Sequence, residues 1–349
     1  MPAEIIILLF PGQNVCISYE ERIIAMKKSM RNMLMGTGIL AAGAAAFSAA
    51  TRTTSRYMIR LALDREGPKK IEKNISRVSG SGENLALAEK MAEAKKQLES
   101  ACRETFEIQA HDGIRLVGHW RPCEAPRRVL IAMHGWRSSW SRDFGLIADF
   151  WYHNGCSVLY PEQRGQGESG GECKGFGMLE RHDCLRWAQW VSESLAGDLP
   201  VYLVGISMGA ATVLMTGGME LPSNVHGIMA DCGFTSAHDI WKHVAENNLH
   251  LHYGLYAAAA DDLCKKKIRC GARDCSTVEA LGECDVPVLF VHGTDDSFVP
   301  VEMTYENYKA CASPKRLLIV PGAEHGMSYC VAREEYEKAM TDFWEEFDG

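Results

Sequence analysis

Six short apolar runs mark the second two thirds of the chain: Val129 to Met133, Ser157 to Tyr160, Val201 to Val204, Gly227 to Ala230, Val288 to Val291 and Leu317 to Val320. Runs of this length without polar alternation are expected of strands covered on both faces, as in a parallel sheet. Longer stretches of mixed pattern separate them, and Arg142 to His153, Leu179 to Leu195, Met208 to Met219, Val301 to Ala312 and Arg333 to Phe347 read as crossover helices. Ahead of the first run, Glu104 to Ala110 and Leu116 to Arg121 flank His111-Asp112-Gly113. Asp-Gly is a strong turn signal, so the body opens with an antiparallel hairpin. The pattern predicts an α/β fold over 104–349, a mostly parallel sheet of about eight strands with helices on both faces. The alternation is interrupted after the Gly227 to Ala230 run, and 236–284 reads as a small helical cap inserted there. In such sheets ligands bind beyond the carboxyl ends of the strands.

Upstream the pattern changes. Lys27, Lys28 and Arg31 precede an uncharged stretch over 33–50, rich in Ala and Gly, with the layout of an export signal or a single membrane anchor. A buried Ala-rich helix is the bland alternative, weakened by Gly36, Gly38 and Gly43. Met26 stands where a charged leader would naturally start, so 1–25 reads as an over-extended beginning. Residues 51–82, basic and then Gly/Ser-rich through Ser79-Gly80-Ser81-Gly82, are expected to form a linker. The stretch Glu83 to Cys102 repeats apolar Leu87, Met91, Ala94 and Leu98 at spacings of three and four, an amphipathic helix that completes the 51–103 region.

Composition narrows the function. A net charge of -8 argues against a nucleic-acid surface, which needs clustered Lys and Arg; Lys265-Lys266-Lys267 reads as a solvated face. Thirteen cysteines, an odd number without paired C-x-x-C spacing, indicate free thiols, neither a zinc ribbon nor a disulfide framework. His250, His252, Cys264, Cys270 and Cys275 are the one local set with metal-ligand chemistry, at irregular spacing.

The chemistry centres on Gly205-Ile206-Ser207-Met208-Gly209, directly after the Val201 to Val204 run and opening into an apolar helix. Glycines two places either side let a strand and a helix meet in a very tight turn around a strained serine, the nucleophile elbow. A lone G-x-S-x-G also occurs as an ordinary turn, so the remaining chain must supply a base and an acid. His325 follows the Leu317 to Val320 run, while Asp231, Asp295 and Asp296 end or follow earlier runs and compete as the acid. The order Ser, Asp, His is the one this topology uses.

Residues from about 104 to 349 resemble the α/β-hydrolase superfamily. The likeness is carried by Leu130-Ile131-Ala132-Met133-His134-Gly135-Trp136, Arg164-Gly165-Gln166-Gly167-Glu168-Ser169-Gly170, the elbow, His292-Gly293-Thr294-Asp295-Asp296-Ser297-Phe298-Val299-Pro300 and Gly322-Ala323-Glu324-His325-Gly326. Within it the chain is most similar to bacterial hydrolases with an N-terminal hydrophobic segment, near the cinnamoyl-esterase and serine-aminopeptidase-like groups. The resemblance implies a triad of Ser207, His325 and Asp296, the family's His-Gly-x-x-Asp-x-x-Val-Pro spacing selecting Asp296 over Asp295. It implies an oxyanion hole from the backbone N–H groups of Trp136 and Met208. Gln163 departs from the family's usual Asp, which puts an ionic tie across that loop in doubt. His134 and His292 read as packing and turn residues.

The expected activity is serine-dependent hydrolysis of an uncharged ester of modest size, through a covalent acyl-enzyme, with no cofactor. Trp241, Leu249, Leu251, Tyr253, Leu255 and Tyr256 in the cap suggest an apolar pocket wall, and no cluster of Arg stands ready for an anion. A peptidase or amidase with the same triad, and a membrane-tethered binding protein with little turnover, are the alternatives.

Overall fold

The computed structural model describes residues 27–28, 46, 48–66 and 85–348. The chain divides into two units, Met1–Thr53 and Thr54–Gly349. The described residues of the first are helical. Almost all of the expected signal or anchor over 33–50 lies outside the described residues; among those described, no helix is long and apolar enough to cross a membrane.

The second unit opens with helical residues 54–63 (α1) and then, after an undescribed stretch, Leu85–Ala101 (α2). Eight strands follow: Glu104–Gln109 (β1), Arg115–Arg121 (β2), Arg128–Met133 (β3), Cys156–Glu162 (β4), Val201–Ile206 (β5), Val225–Asp231 (β6), Val288–Gly293 (β7) and Lys315–Val320 (β8). They form one sheet in the order β1-β2-β4-β3-β5-β6-β7-β8. The β1 and β2 hairpin pairs antiparallel, β2 meets β4 antiparallel, and every other neighbour is parallel. This is the α/β-hydrolase fold.

Successive side chains of a strand face opposite ways, and two apolar layers result. Ile131, Leu203, Ile228 and Phe290 pack on one face with Trp187 and Ala188 of Glu180–Val191 (α5) and Val213 and Leu214 of Met208–Gly217 (α6). Their neighbours Leu130, Tyr202, Met229 and Leu289 pack on the other with Trp151 of Ala148–His153 (α4) and Phe343 and Trp344 of Arg333–Phe347 (α12). The central strands are fully covered, as their apolar runs predict. Strand β8 differs: it is an edge strand, and Leu317 is 37% exposed.

Two expectations fail for identifiable reasons. The single helix expected over Arg142 to His153 is two, Trp140–Phe144 (α3) and α4. At the break a Cβ on Gly145 would press on backbone atoms of Ala94 and Lys95 at 2.9 Å, so the glycine admits the backbone of α2. Leu98 of α2 is buried beside Trp140 and Phe144, and Ser141 Oγ–H donates to Glu99 Oε1 at 2.8 Å, which fixes α2 on the body. The second failure is the linker expected from residue 51. Residues 51–63 are helical, with Ser55, Ile59 and Leu63 buried. Arg52, Arg56 and Arg60, four apart, form the outward side of that helix, and this basic stripe disguised the apolar one behind it.

Between β6 and β7 the chain adds Ala237–His243 (α7), Ala257–Ile268 (α8) and Thr277–Gly282 (α9); Val301–Ala310 (α10) follows β7, and the four-residue helix Ser328–Val331 (α11) precedes α12. Ile240, Trp241, Tyr253 and Ala260 from the insertion join Ile59, Leu63, Phe176, Met208 and Phe234 in a third apolar cluster beyond the sheet's edge.

Candidate active site

Strands β5, β6, β7 and β8 run parallel, so their carboxyl ends share one edge; Asp231 ends β6 there, and the loops leaving that edge carry Ser207, Asp296 and His325. Ser207 sits between β5 and α6 at φ 56° and ψ -118°, a conformation costing a non-glycine residue on the order of 1–3 kcal/mol. The surroundings force it. A methyl on Gly209 would run into the Met133 carbonyl, and one on Gly205 into the Gly209 carbonyl. Ser207 N–H donates to Asp231 O at 2.9 Å and Ala211 N–H to Ser207 O at 3.0 Å, which pins the turn from both sides.

The three side chains named from sequence converge. His325 Nδ1–H donates to Asp296 Oδ2 at 2.7 Å, which leaves Nε2 to accept from Ser207 Oγ–H at 2.9 Å. Asp296 has a fully buried side chain. Burial alone would raise its pKa, but the charge of His325 and hydrogen bonds from His292 and His325 overcome this and hold it well below the usual carboxylate range. The amides of Phe298 and Val299 donate to the other oxygen, Oδ1, at 2.9 and 2.8 Å. Asp295 turns away, accepting from Thr294 Oγ1–H at 2.8 Å. Asp231 accepts from Ser328 Oγ–H at 3.1 Å and from Tyr336, and burial pushes its pKa up to about 6. Of the three aspartates, only Asp296 hydrogen-bonds His325.

His292 is the residue sequence reasoning undervalued. Completely buried, its Nε2 faces both Asp296 Oδ2 at 3.1 Å and Val299 O at 2.9 Å, so that nitrogen carries the hydrogen, and Nδ1 lies 2.6 Å from Thr304 Oγ1. It orients the acid from behind. Its position four residues before Asp296, closing β7, was the available signal.

The loop after β3 passes close to the nucleophile, since a Cβ on Gly135 would lie 3.5 Å from Ser207 Cβ. Gly135 N–H donates to Asp143 Oδ2 at 2.7 Å and Ser138 Oγ–H to Oδ1, so the loop is held from α3. His134 Nδ1–H donates to Gly135 O, and its Nε2 accepts from Gln163 N–H at 3.2 Å. Gln163 also donates to His134 O and accepts from Thr212 Oγ1–H, so neutral hydrogen bonds hold this loop. The ionic tie doubted from sequence is present one residue on: Arg164 is buried between Asp183 and Asp112.

These groups open into a cavity of about 940 Å³ lined mainly by apolar and aromatic residues, among them Trp136, Phe176, Phe234, Trp241, Tyr253 and Phe298. Leu249 and Tyr256 line it as expected, whereas Leu255 is 54% exposed and lies elsewhere. Arg65, Arg137 and Lys174 also line it, a gathering of cations that the scattered sequence positions concealed. Each of the three gives N–H groups to backbone carbonyls. Burial, then the neighbouring charge of Arg137, lowers the Lys174 pKa to about 8.

Among the described residues, the donor atoms of Cys232, Asp296 and His325 are the set of three lying within 4.8 Å of one another. The Asp296 oxygens and the His325 nitrogens are engaged in hydrogen bonds, and burial raises the Cys232 thiol well above its usual range. The His250, His252, Cys264, Cys270 and Cys275 set does not converge in this way; within it Cys270 and Cys275 place their sulfurs 3.8 Å apart.

Residues 124–251, which include Ser207, match the family model described as Serine aminopeptidase, S33. The chain is 27% identical over 242 residues to the uncharacterized protein YqkD of Bacillus subtilis, spanning 69% of this chain and 79% of that one. It is 23% identical over 247 residues to YfhR of Escherichia coli K12, spanning 69% and 80%. Among solved structures, the Pyrococcus furiosus esterase Pf2001 superposes with a TM-score of 0.57 at 20% identity, covering 70% of this chain and 91% of its own. Est1E of Butyrivibrio proteoclasticus, solved with ferulic acid, gives 0.52 at 17%, covering 69% and 98%. The chain shares the α/β-hydrolase fold of these structures. It is a serine hydrolase, and its match to the serine aminopeptidase family model over residues 124–251 runs across the turn at Ser207.

Proposed function

We propose that the chain is a carboxylic ester hydrolase acting through Ser207, His325 and Asp296. His325 takes the proton of Ser207 Oγ as the hydroxyl attacks the ester carbonyl, and Asp296 stabilises the imidazolium that forms. Charge on the tetrahedral oxygen is met by the N–H groups of Met208 and Trp136. Met208 is the first residue of α6, where an amide has no acceptor inside the helix. His325 then protonates the leaving alcohol, and water releases the acyl group from Ser207 by the reverse relay. The observation that carries the reading is the continuous hydrogen-bonded path from Ser207 Oγ through His325 to Asp296.

The family description favours a second reading, an aminopeptidase with the same machinery. Such an enzyme needs an acidic group to hold the substrate's ammonium. Asp143 and Glu66 both line the cavity; the two oxygens of Asp143 are taken by Gly135 N–H and Ser138 Oγ–H, which leaves the exposed Glu66 carboxylate as the group this second reading would use. The structural neighbours named as esterases support the ester through fold alone. Full-length protein should label with a fluorophosphonate and turn over p-nitrophenyl butyrate in preference to an aminoacyl-nitroanilide, and Ser207→Ala should do neither; failure of the wild type to label rejects the serine mechanism. The basic residues before the uncharged 33–50 stretch support membrane association, which partition of full-length protein between vesicles and buffer tests.

A further inference from the structure

One wall of the cavity comes from outside the sheet and the cap. Ser55, Met58, Ile59 and Ala62 line it, at the three- and four-residue spacing of a single helical side. Ile59 and Leu63 pack with Phe176, Met208, Phe234 and Trp241 in the cluster that surrounds the nucleophile.

The end of α1 is bound to the body carbonyl by carbonyl. The last carbonyls of a helix have no acceptor role inside it and need donors from elsewhere. Here Arg137 donates to Leu61 O at 3.0 Å, Trp136 Nε1–H to Ala62 O at 2.9 Å and Lys174 N–H to Leu63 O at 2.7 Å. Asp64 O accepts from Arg137 at 2.9 Å and from Lys174 Nζ at 2.8 Å. Arg65 in turn donates to the carbonyls of Gly167, Ser169 and Gly171. Cations at a helix C-terminus also complement its dipole. Trp136 and Arg137 belong to the loop beside Ser207, so the same short segment borders the reacting carbonyl and grips α1.

We propose that α1 is the specificity-determining wall of the ester site, and that Met58 and Ala62 set how long or bulky an apolar acyl group the cavity admits. This rests on the ester-hydrolase reading. A fixed wall discriminates by volume, and one methylene too many or too few in an apolar pocket is worth about 10- to 200-fold in kcat/KM. A cavity of 940 Å³ lies near the top of the usual range for ligand sites, which fits an extended acyl chain better than acetate.

The test uses full-length protein and p-nitrophenyl acetate, butyrate, octanoate and laurate, read as the ratio of kcat/KM for octanoate to that for acetate. Met58→Trp and Ala62→Phe each narrow the cavity and should lower the ratio by about tenfold or more. Met58→Ala deepens it and should move the optimum towards laurate, which keeps the test alive if either larger side chain prevents folding. Tyr57→Trp, on the outward side of the same helix and 45% exposed, should leave the ratio at the wild-type value. An unchanged ratio in the inward variants, or an equal change in Tyr57→Trp, overturns the proposal while the ester reading stands. A wild type that hydrolyses none of the four esters overturns both.

Discussion

The elbow at Ser207 and the wall at α1 border the same cavity, yet they are built on opposite principles. At the elbow, backbone meets backbone: Gly205 and Gly209 leave no space for a single methyl, and the serine is held at a positive φ by the atoms around it. At the wall, side chains meet a void, and a helix whose carbonyl end is clamped presents Met58, Ile59 and Ala62 to it. On the proposed reading the first region fixes where bonds break and tolerates nothing, while the second fixes what fits and can change residue by residue. Chemistry and selectivity are thus separable in this molecule, and substitutions should show it.

The largest effect is expected at the nucleophile. Ser207→Ala should lower kcat by about 10⁴-fold or more, and Asp296→Asn by roughly 10³- to 10⁴-fold, because the amide would favour the wrong tautomer of His325. Ser207→Ala should change thermal stability little, since the side chain is small, whereas Asp296→Asn turns an NH2 towards donors that the carboxylate accepted and should lose some stability along with activity. Equal loss of activity and of folded protein would contradict the separation.

Next comes the backbone itself. In Gly209→Ala the new methyl meets the carbonyls of Met133 and His134, neither of which can yield without moving β3, and the cost should be about 3 kcal/mol or more. Ile59→Ala, by contrast, removes three carbons, yet its site borders a cavity already, so the cost should sit near the low end of the usual range, about 2 kcal/mol. Thermal unfolding of the two variants side by side checks the order. A milder effect at Gly209 than at Ile59 would reverse the comparison.

What could be read in advance follows the same division. The elbow, the strand runs and the loop residues Asp296 and His325 rest on local constraints, a glycine where no Cβ fits or a polar residue just past an apolar run, and such constraints are written in contiguous sequence. The wall was illegible because its signal is a stripe of Ser55, Met58, Ile59 and Ala62 whose opposite side, Arg56 and Arg60, is strongly basic. Without the cavity there was nothing for that stripe to face. The role of His292 was hidden for a related reason: a buried histidine at a strand end looks alike whether it packs or orients a carboxylate. Gln163 shows the converse, where a departure from the family pattern suggested a missing tie and the fold supplied hydrogen bonds at that residue and an ion pair at the next.

The smallest predicted effect lies directly beneath the elbow, where Asp231 gives its carbonyl to Ser207 N–H and its carboxyl to Ser328 and Tyr336. Burial raises the pKa of that carboxyl from an ordinary 3.8 to about 6. Between these two values the folded protein holds a proton that the unfolded chain has released, so this group's contribution to stability falls as pH rises through that window and is flat above it. The span corresponds to about 3 kcal/mol, an upper bound for a buried site. Asp231→Asn removes the titration while keeping an acceptor for Ser328 or Tyr336, so it should gain stability relative to wild type as pH rises from 4 to 6, by at most about 2 kcal/mol, the lost acceptor adding an offset that does not change with pH. Melting temperatures of the two proteins across that window give the sign. A difference that stays constant with pH would mean that the carboxyl is ionised throughout, and that the rigid side of the site carries a charge beneath the nucleophile.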